Sequence, residues 1–269
     1  MTKLSIITIN YNDAGGLIKT IESLLKQTFN DFEFLIIDGG STDGSKEIIE
    51  QSLVKLAYWV SEKDNGVYHA MNKGIVKATG EYIYFLNSGD YLENADVLKN
   101  IFAAGNNEDI IYGDIILDFK EASYTKTCPD KLSFSFFIKN ALPHQSTFIR
   151  RQLFSDFGLH NEKLKIVADW EFLMNAICKY QVSYKHVPFV VAVFNTQGIC
   201  SREENYPIMN AEKKEVLTKH YAAFMEDYNR MQVNAGELKN IHNSRVWKFR
   251  NYLTGLSVYK LIQTKITNK

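Results

Sequence analysis

Three short polar groups interrupt the apolar segments between residues 62 and 92. They are Lys63-Asp64-Asn65-Gly66, Asn72-Lys73-Gly74 and Asn87-Ser88-Gly89-Asp90. Carboxylate oxygens suit a hard divalent cation, and an ammonium group suits either a carboxylate or a phosphate. The groups therefore predict a site for a phosphorylated ligand, with Asp90 bound to a cation and Lys73 either near a phosphate or paired with Asp64.

Each of these residues also has an ordinary structural explanation. An aspartate after glycine, such as Asp90, is commonly a turn residue, and Lys73 alone is more often a solvated helix lysine. Asp38 precedes a Gly-Gly-Ser-Thr-Asp-Gly loop, where it either organises the turn or accepts from a nucleobase or ribose. A site is favoured for Asp90 because it follows the apolar run Tyr82–Leu86, where an unpartnered carboxylate is costly to desolvate.

A second set of candidates lies between residues 144 and 171. Asp169 stands where a helix is predicted to begin, so it either caps that helix or serves as a general base for an acceptor hydroxyl. Glu171 complements the helix dipole or contacts an acceptor or metal. His144 is a structural hydrogen-bonding residue, a metal ligand or an acceptor contact.

Alternating strands and helices are predicted to bring these residues together. Apolar runs of strand length, separated by helical patterns, recur at Leu4–Ile9, Phe32–Ile37, Tyr58–Ser61 and Tyr82–Leu86. Strands without polar alternation indicate a parallel sheet covered on both faces, and ligands bind at the carboxyl ends of such strands. Asp38, Asp64 and Asn87–Asp90 are therefore expected at one edge of the sheet.

After residue 90 the pattern changes. It predicts an antiparallel ribbon, a short helix within 132–154 followed by a strand, a helix behind Asp169, further strands and two late helices. The ribbon is predicted at Asp109–Leu117 with Tyr124–Thr127, the strand after the short helix at Ser146–Ile149, and the further strands at Val182–Val193. The two late helices are predicted at Tyr206 to about Asn229 and at Val246–Ile262.

Charge is balanced overall but divided along the chain. The whole sequence has 31 basic and 31 acidic residues, whereas residues 238–269 contain seven basic residues and no acid. A neutral chain offers no general attraction for nucleic acid. The basic tail, with Val246, Phe249, Leu253 and Leu256 at helical spacing, suits an anionic membrane face first, and otherwise the acidic body or a homodimer contact.

Cysteine usage and hydropathy indicate the compartment. The three cysteines show no CxxC spacing, which predicts neither a disulfide framework nor a thiolate zinc site and is typical of a reducing cytoplasm. No run of about 18 apolar residues occurs, so no membrane-spanning helix is expected. The prediction is a cytoplasmic protein, peripheral at the inner face of the membrane if the tail binds there.

Five segments in this order resemble family 2 nucleotide-sugar glycosyltransferases of the GT-A fold. They cover about residues 1–180 and read LSIITINYND, FEFLIIDGGSTDGS, EKDNGVYHAMNKGI, GEYIYFLNSGD and VADWEFLMNA. Within the family the chain is most similar to bacterial enzymes that build capsule, O-antigen or exopolysaccharide repeat units. The resemblance implies an α/β fold with a mostly parallel central sheet flanked by helices, a small antiparallel ribbon and a C-terminal helical extension.

The resemblance also implies a division of the chain and a set of ligands. Residues 1–204 would form the catalytic domain, with a nucleotide-binding half at 1–100 and an acceptor-binding half at 101–204, and 205–269 the extension. The ligands would be a nucleotide-diphospho-sugar, a glycan or lipid-linked acceptor, and Mg2+ or Mn2+. UDP is the default nucleotide, with GDP and dTDP left open, and transfer would invert the anomeric carbon.

Site residues are carried over position by position from the same resemblance. Asp169 would take the proton of the acceptor hydroxyl, and Asp90 would bind the cation. The residues expected to bind the donor nucleotide are Thr8, Asn10, Asp38, Asp64, Lys73 and Asn87.

Two positions depart from the family pattern. The usual Asp-x-Asp triplet is replaced by Asn87-Ser88-Gly89-Asp90, which leaves one carboxylate and leaves metal dependence open. The usual Glu-Asp pair is Ala168-Asp169. The alternative to an enzyme is a non-catalytic nucleotide-sugar-binding subunit of an assembly complex, against which the retained Asp169 argues. A sugar-phosphate nucleotidyltransferase is disfavoured because the N-terminus has no glycine-rich signature with Arg and Lys.

Overall fold

The computed structural model describes residues 2–52, 56–103, 105–119, 121–198 and 201–244, together with residues 248, 251, 252 and 254. The strands in this part of the chain are β1 (Leu4–Asn10), β2 (Phe32–Asp38), β3 (Leu56–Ser61), β4 (Tyr82–Phe85), β5 (Tyr91–Leu92), β6 (Ile110–Phe119), β7 (Ala122–Lys126), β8 (Thr147–Arg150) and β9 (Tyr184–Asn195). The α-helices are α1 (Ala14–Leu25), α2 (Ser45–Glu50), α3 (Val67–Lys77), α4 (Val97–Ala103), α5 (Phe134–Lys139), α6 (Gln152–Phe157), α7 (Ala168–Met174) and α8 (Tyr206–Asn243).

The strands form one nine-stranded sheet in the order β3-β2-β1-β4-β8-β6-β9-β5, with β7 beside β6. The first four strands pair in parallel, so their carboxyl ends meet at one edge, as predicted. Strand β8 then runs antiparallel between β4 and β6, and β7 forms the expected antiparallel ribbon with β6. The predicted α/β fold with a covered central sheet is confirmed.

The sheet core explains why the N-terminal strands are mostly apolar and lack polar alternation. Leu4, Ile6, Phe34 and Ile36 are fully buried in one cluster with side chains from α1, β4 and α4. Helix α1 begins where the Asp13 carboxylate accepts from the Gly16 N–H at 3.0 Å. These strands and caps hold the loops at the carboxyl edge in place.

Several elements differ from the predictions. Strand β5 and helices α4 and α6 were not predicted, because they are too short to show a periodic pattern. The region 182–193, predicted as one or two strands, is the single strand β9, which pairs in parallel with β6 through register shifts at Gly113 and Asp114. Helix α7 continues into a π-helical turn, Asn175–Lys179.

The chain divides into two compact units, Met1–Lys214 and Glu215–Lys269. This boundary falls inside α8, whereas the sequence places it before that helix. Helix α8 has one non-helical residue, Tyr221. The predicted amphipathic tail residues Val246, Phe249, Leu253 and Leu256 lie outside the described residues. Among the described helices, none is long and apolar enough to cross a membrane.

A buried histidine lies behind the edge where α3 and α7 meet the sheet. The ring of His160 is packed among those of Tyr68, Phe85, Phe154 and Phe172, with ring centroids 5.5 to 5.8 Å apart. Burial lowers the pKa of His160 to about 4, with the nearby Asp169 charge acting in the opposite direction. His160 is therefore neutral in the folded protein above that pH.

Gly80 allows the start of β4 to approach β1, and its substitution tests this contact. A Cβ at Gly80 would lie 2.6 Å from the Ser5 nitrogen and 2.7 Å from the Leu4 carbonyl carbon, whereas a Cβ at Gly15 of α1 meets nothing within 4 Å. Gly80→Ala should destabilise the protein by about 2 kcal/mol through overpacking against backbone. Gly15→Ala should stabilise it by roughly 0.5 kcal/mol through reduced chain entropy. Urea unfolding of both variants measures the change in the free energy of unfolding that each substitution causes. Equal changes would contradict the close approach of Gly80 to the backbone of β1.

Candidate active site

Asp38, at the carboxyl end of β2, organises the loop that follows it. Its carboxylate accepts hydrogen bonds from Asn10 Nδ2 at 2.7 Å, Ser41 Oγ at 2.5 Å and Ser61 Oγ at 2.6 Å, and from the N–H groups of Gly40 and Ser41. Burial would raise the pKa of Asp38, but these hydrogen bonds outweigh burial and hold the pKa below its ordinary value. The carboxylate is ionised and its lone pairs are largely used by the protein.

Asn10, at the end of β1, has an acceptor that the protein does not use. Its Nδ2 donates to Asp38, whereas its buried Oδ1 has no donor among the described residues. Buried polar atoms normally have a partner, so an orphan at a strand end indicates a ligand contact. The adjacent Tyr11 is 68% exposed and its ring lies beside Gly39, where a Cβ would meet it at 3.1 Å.

Lys73 joins two carboxylates at the same edge. Its Nζ lies 2.5 Å from Asp64 Oδ1 and 2.7 Å from Glu62 Oε1. Partial burial would lower the pKa of Lys73, but the bonds to Asp64 and Glu62 raise it above its ordinary value. Asp64 also contacts His69 Nδ1 at 3.2 Å and lies beside Gly39. The predicted Asp64–Lys73 pair is therefore in contact with the loop that Asp38 organises.

Asp90 lies deeper than its turn position suggests. The residue is 3% exposed, and Oδ1 accepts from the backbone N–H of Asn195 at 2.9 Å. Burial raises the pKa of Asp90 to about 7, against the bond from Asn195, the charge of His144 and a bond from Gln145. A partly protonated, buried carboxylate is a weaker cation ligand than an exposed, ionised one.

The residues present fit a cation only as a shared site. No group of three His, Cys, Asp or Glu side chains able to hold a metal ion occurs in the described part of the chain. Magnesium is commonly bound through one or two carboxylates together with substrate phosphates and waters. Asp90 could supply one ligand, and diphosphate oxygens would have to supply others.

Asp169 is held by two side chains from different elements. Tyr68 Oη of α3 lies 2.8 Å from Oδ1, and His144 Nδ1 lies 3.0 Å from Oδ2. On its other side the imidazole Nε2 lies 3.0 Å from Asn87 Nδ2. Because an ionised carboxylate only accepts, Nδ1 carries the proton that His144 donates to Asp169. Asn87, His144 and Asp169 therefore form one hydrogen-bonded chain.

The carboxylate of Asp169 is held in its ionised form. Burial would raise its pKa, but the hydrogen bond and charge of His144 and the bond from Tyr68 hold the pKa below its ordinary value. Asp169 does not cap its helix, since the cap residue of α7 is Val167 and no side chain bonds there. The capping explanation is therefore not what the structure contains.

Two predicted residues play supporting roles in this geometry. Thr8 is fully buried, and its hydroxyl donates to the Leu86 carbonyl at 2.6 Å, which fixes the backbone just before Asn87. Glu171 is also buried, with Asn161 Nδ2 at 3.3 Å from its Oε2.

Helix α3 connects two parts of the candidate site. Helix α3 carries both Tyr68, which contacts Asp169, and Lys73, which contacts Asp64. Sequence reasoning missed Tyr68 and Tyr11, although an aromatic residue placed directly after a strand or at a helix start in this stretch was a signal. Gln145, the neighbour of His144 that bonds Asp90, carried no such signal.

Comparison with known proteins identifies the family. A sequence profile described as "Glycosyl transferase family 2" matches residues 5–155, more than half of the chain. The chain belongs to glycosyl transferase family 2. The match contains β1 to β4 and His144, and ends before Asp169. The predicted family and enzyme class are confirmed.

Three similar proteins extend the comparison. A PGL/p-HBAD biosynthesis glycosyltransferase of Mycobacterium bovis is 34% identical over 201 residues, covering 72% of this chain and 77% of the relative. The structure of S. aureus TarS 1–349 in complex with UDP-GlcNAc has a TM-score of 0.61 at 20% identity, covering 81% and 71% of the two chains. Mannosyltransferase PcManGT from Pyrobaculum calidifontis, in complex with GDP-Man and Mn2+, has a TM-score of 0.56 at 15% identity, covering 96% and 87%. This family 2 glycosyltransferase has the GT-A fold that was predicted.

Proposed function

We propose that this glycosyltransferase transfers a sugar, with inversion, from a nucleotide-diphospho-sugar to a hydroxyl of a glycan or lipid-linked acceptor. The observation that carries the proposal is the Asn87–His144–Asp169 chain, which leaves an ionised carboxylate at the carboxyl edge of the sheet. UDP is the first choice of nucleotide, since a neighbour of the same fold binds UDP-GlcNAc. Assembly of capsule, O-antigen or exopolysaccharide remains the proposed setting.

The transfer step follows from the position of Asp169. Asp169 accepts the proton of the acceptor hydroxyl while that oxygen forms a bond to the anomeric carbon. The bond from the anomeric carbon to the diphosphate breaks on the opposite side, and the diphosphate leaves with the electron pair. His144 and Tyr68 keep the carboxylate oriented throughout. This direct displacement inverts the anomeric centre.

The donor would lie along the ends of β1 to β4. Asn10 Oδ1 is available to accept from a base or ribose, Tyr11 offers an exposed ring, and Asp38 holds both loops in register. Lys73 is proposed to exchange its salt bridge with Glu62 for a contact with the diphosphate, while it keeps its salt bridge with Asp64. A Mg2+ or Mn2+ ion held between Asp90 and the diphosphate would supply charge neutralisation to the leaving group.

The cellular setting is proposed from composition. The basic segment 238–269 would hold the enzyme at the anionic inner face of the cytoplasmic membrane, near lipid-linked acceptors. The same segment would otherwise serve a homodimer. Nucleic acid is not among the proposed partners because the whole chain is neutral.

Calorimetric titration with UDP, GDP and dTDP, each with and without Mn2+, tests the donor class. One nucleoside diphosphate should bind, more tightly with Mn2+. Lys73→Met should weaken its binding roughly tenfold, because a charged hydrogen bond to phosphate is lost, and should leave the free nucleoside unaffected. Lys77→Met, an exposed lysine on the same helix, is the matched control.

Two results would redirect the proposal. Binding of no nucleotide under either condition would contradict the proposed donor site. Binding that is identical with and without Mn2+ would remove the cation from the Asp90 site and leave Lys73 as the main neutralising charge.

A further inference from the structure

Two lysines close to the segments that carry His144 and Asp169 form no salt bridge with an acidic side chain in the described part of the chain. They are Lys213, in the first turns of α8, and Lys126, at the end of β7. Lys213 Nζ lies 5.3 Å from the centre of the Trp170 ring, next to Asp169 in the chain. Lys126 Nζ lies 3.4 Å from the carbonyl oxygen of Ala141, three residues before His144.

Specific contacts place Lys213 beside the catalytic segment. The neighbouring Glu212 is buried, and its two carboxylate oxygens accept from the N–H groups of Lys165 and Ile166 at 2.6 and 3.0 Å. The Ile166 carbonyl in turn lies 2.6 Å from Tyr68 Oη, which also contacts Asp169. Glu212 is thus turned to backbone donors, so it does not neutralise Lys213.

The charges of Lys213, Asp169 and Lys126 influence one another. Burial lowers the pKa of Lys213, the negative charge of Asp169 opposes that change, and the positive charge of Lys126 adds to it. A half-buried ammonium that rests on an aromatic face and has no carboxylate partner is costly for a protein that gains nothing from it.

We propose that Lys213 and Lys126 form an anion subsite on the acceptor side of Asp169, so that the acceptor of this enzyme carries a phosphate or carboxylate group near the hydroxyl that is glycosylated. The Trp170 ring supplies an apolar floor under Lys213, and its Nε1 donates to the Phe137 carbonyl at 2.8 Å, which fixes the ring. This inference rests on the proposed transfer to a hydroxyl acceptor, and it narrows the acceptor to an acidic one.

The indole N–H of Trp170 provides a direct readout of the subsite. The chain contains three tryptophans, so the indole signals in a 15N-labelled spectrum of the full chain are few, and Trp170→Phe assigns the relevant one. The protein is first saturated with the nucleoside diphosphate that it binds, so that added anions do not enter the donor site. Inorganic phosphate, citronellyl diphosphate and glucuronate are then titrated separately.

Saturable movement of the Trp170 signal is expected with at least one of these anions. Lys213→Met should weaken that binding at least tenfold, Lys126→Met should weaken it less, and Lys213→Arg should restore most of it. Lys179→Met is the matched control, because Lys179 is exposed and its Nζ lies 5.0 Å from the Tyr180 ring. Preference for citronellyl diphosphate would indicate a lipid diphosphate, and preference for glucuronate an acidic sugar.

Two outcomes separate this inference from the proposed function. If the nucleotide binds but no anion moves the Trp170 signal, or if Lys213→Met binds the anions as wild type does, the subsite is refuted and the transferase proposal stands. If no nucleotide binds at all, the proposed function fails first, and a phosphate effect at Trp170 lost in Lys213→Met would still support an anion site.

Discussion

Asp169→Asn should reduce the turnover number roughly 10³-fold while nucleotide binding stays within a factor of two. A positioned general base contributes about 10² to 10⁴ to the rate, and an amide cannot accept the acceptor's proton in the way a carboxylate does. The amide can still contact His144 and Tyr68, so the site should keep its shape. Sugar transfer or donor hydrolysis, followed alongside calorimetric nucleotide binding, separates the two effects.

A matched substitution controls for loss of charge alone. Asp156, an exposed residue of α6, bonds only Gln152 among the contacts described for its side chain, and Asp156→Asn should transfer sugar at the wild-type rate. If Asp169→Asn turned over as fast as Asp156→Asn, another group would have to take the proton. His144 would then be the next candidate, since it lies 3.0 Å from Asp169.

His160→Phe should remove a large part of the protein's acid sensitivity. His160 has an ordinary pKa of 6.5 and a folded-state pKa of about 4. Between these values the unfolded chain takes up a proton that the folded chain does not, so stability falls as pH falls from 6.5 to 4. The difference of about 2.5 units corresponds to roughly 3 kcal/mol. Above pH 6.5 both states are neutral at this residue, and no contribution remains.

Urea unfolding of wild type and variant across pH 4 to 8 measures this effect. The advantage of His160→Phe over wild type should grow by roughly 3 kcal/mol from pH 7 to pH 4, whatever the substitution costs in packing. Parallel curves for wild type and His160→Phe would mean that His160 takes up its proton in the folded state.

The parallel half of the sheet could be predicted because its signal is local. Runs such as Leu4–Ile9 and Phe32–Ile37 are mostly apolar and lack polar alternation, which is typical of a strand buried on both faces. The place of β8 between β4 and β6 was not predictable, because Thr147–Arg150 has four residues and its pairing depends on contacts distant in sequence. Strand β5, with two residues, shows no pattern at all.

The candidate site also has a part that could be predicted from the sequence and a part that could not. Asp64, Lys73 and Asp169 were identifiable from residue type, position after an element, and the family pattern. The contact of His144 with Asp169 was not, because 25 residues separate them and only the folded chain brings the two side chains together. Asp90 was expected to bind a cation, whereas its hydrogen bond from the backbone N–H of Asn195, a residue distant in sequence, could not be predicted.

The bond from Glu212 to the segment before Asp169 has a consequence for how this chain can be divided. A chain ended at residue 204 would lack Glu212 and leave the N–H groups of Lys165 and Ile166 without their acceptor. The first turns of α8 therefore unfold together with the catalytic segment as one cooperative block. Substitutions in α8 before Lys214 are therefore expected to affect the active site. Chimeras that join this chain to a relative should be tolerated only when the junction lies beyond Lys214.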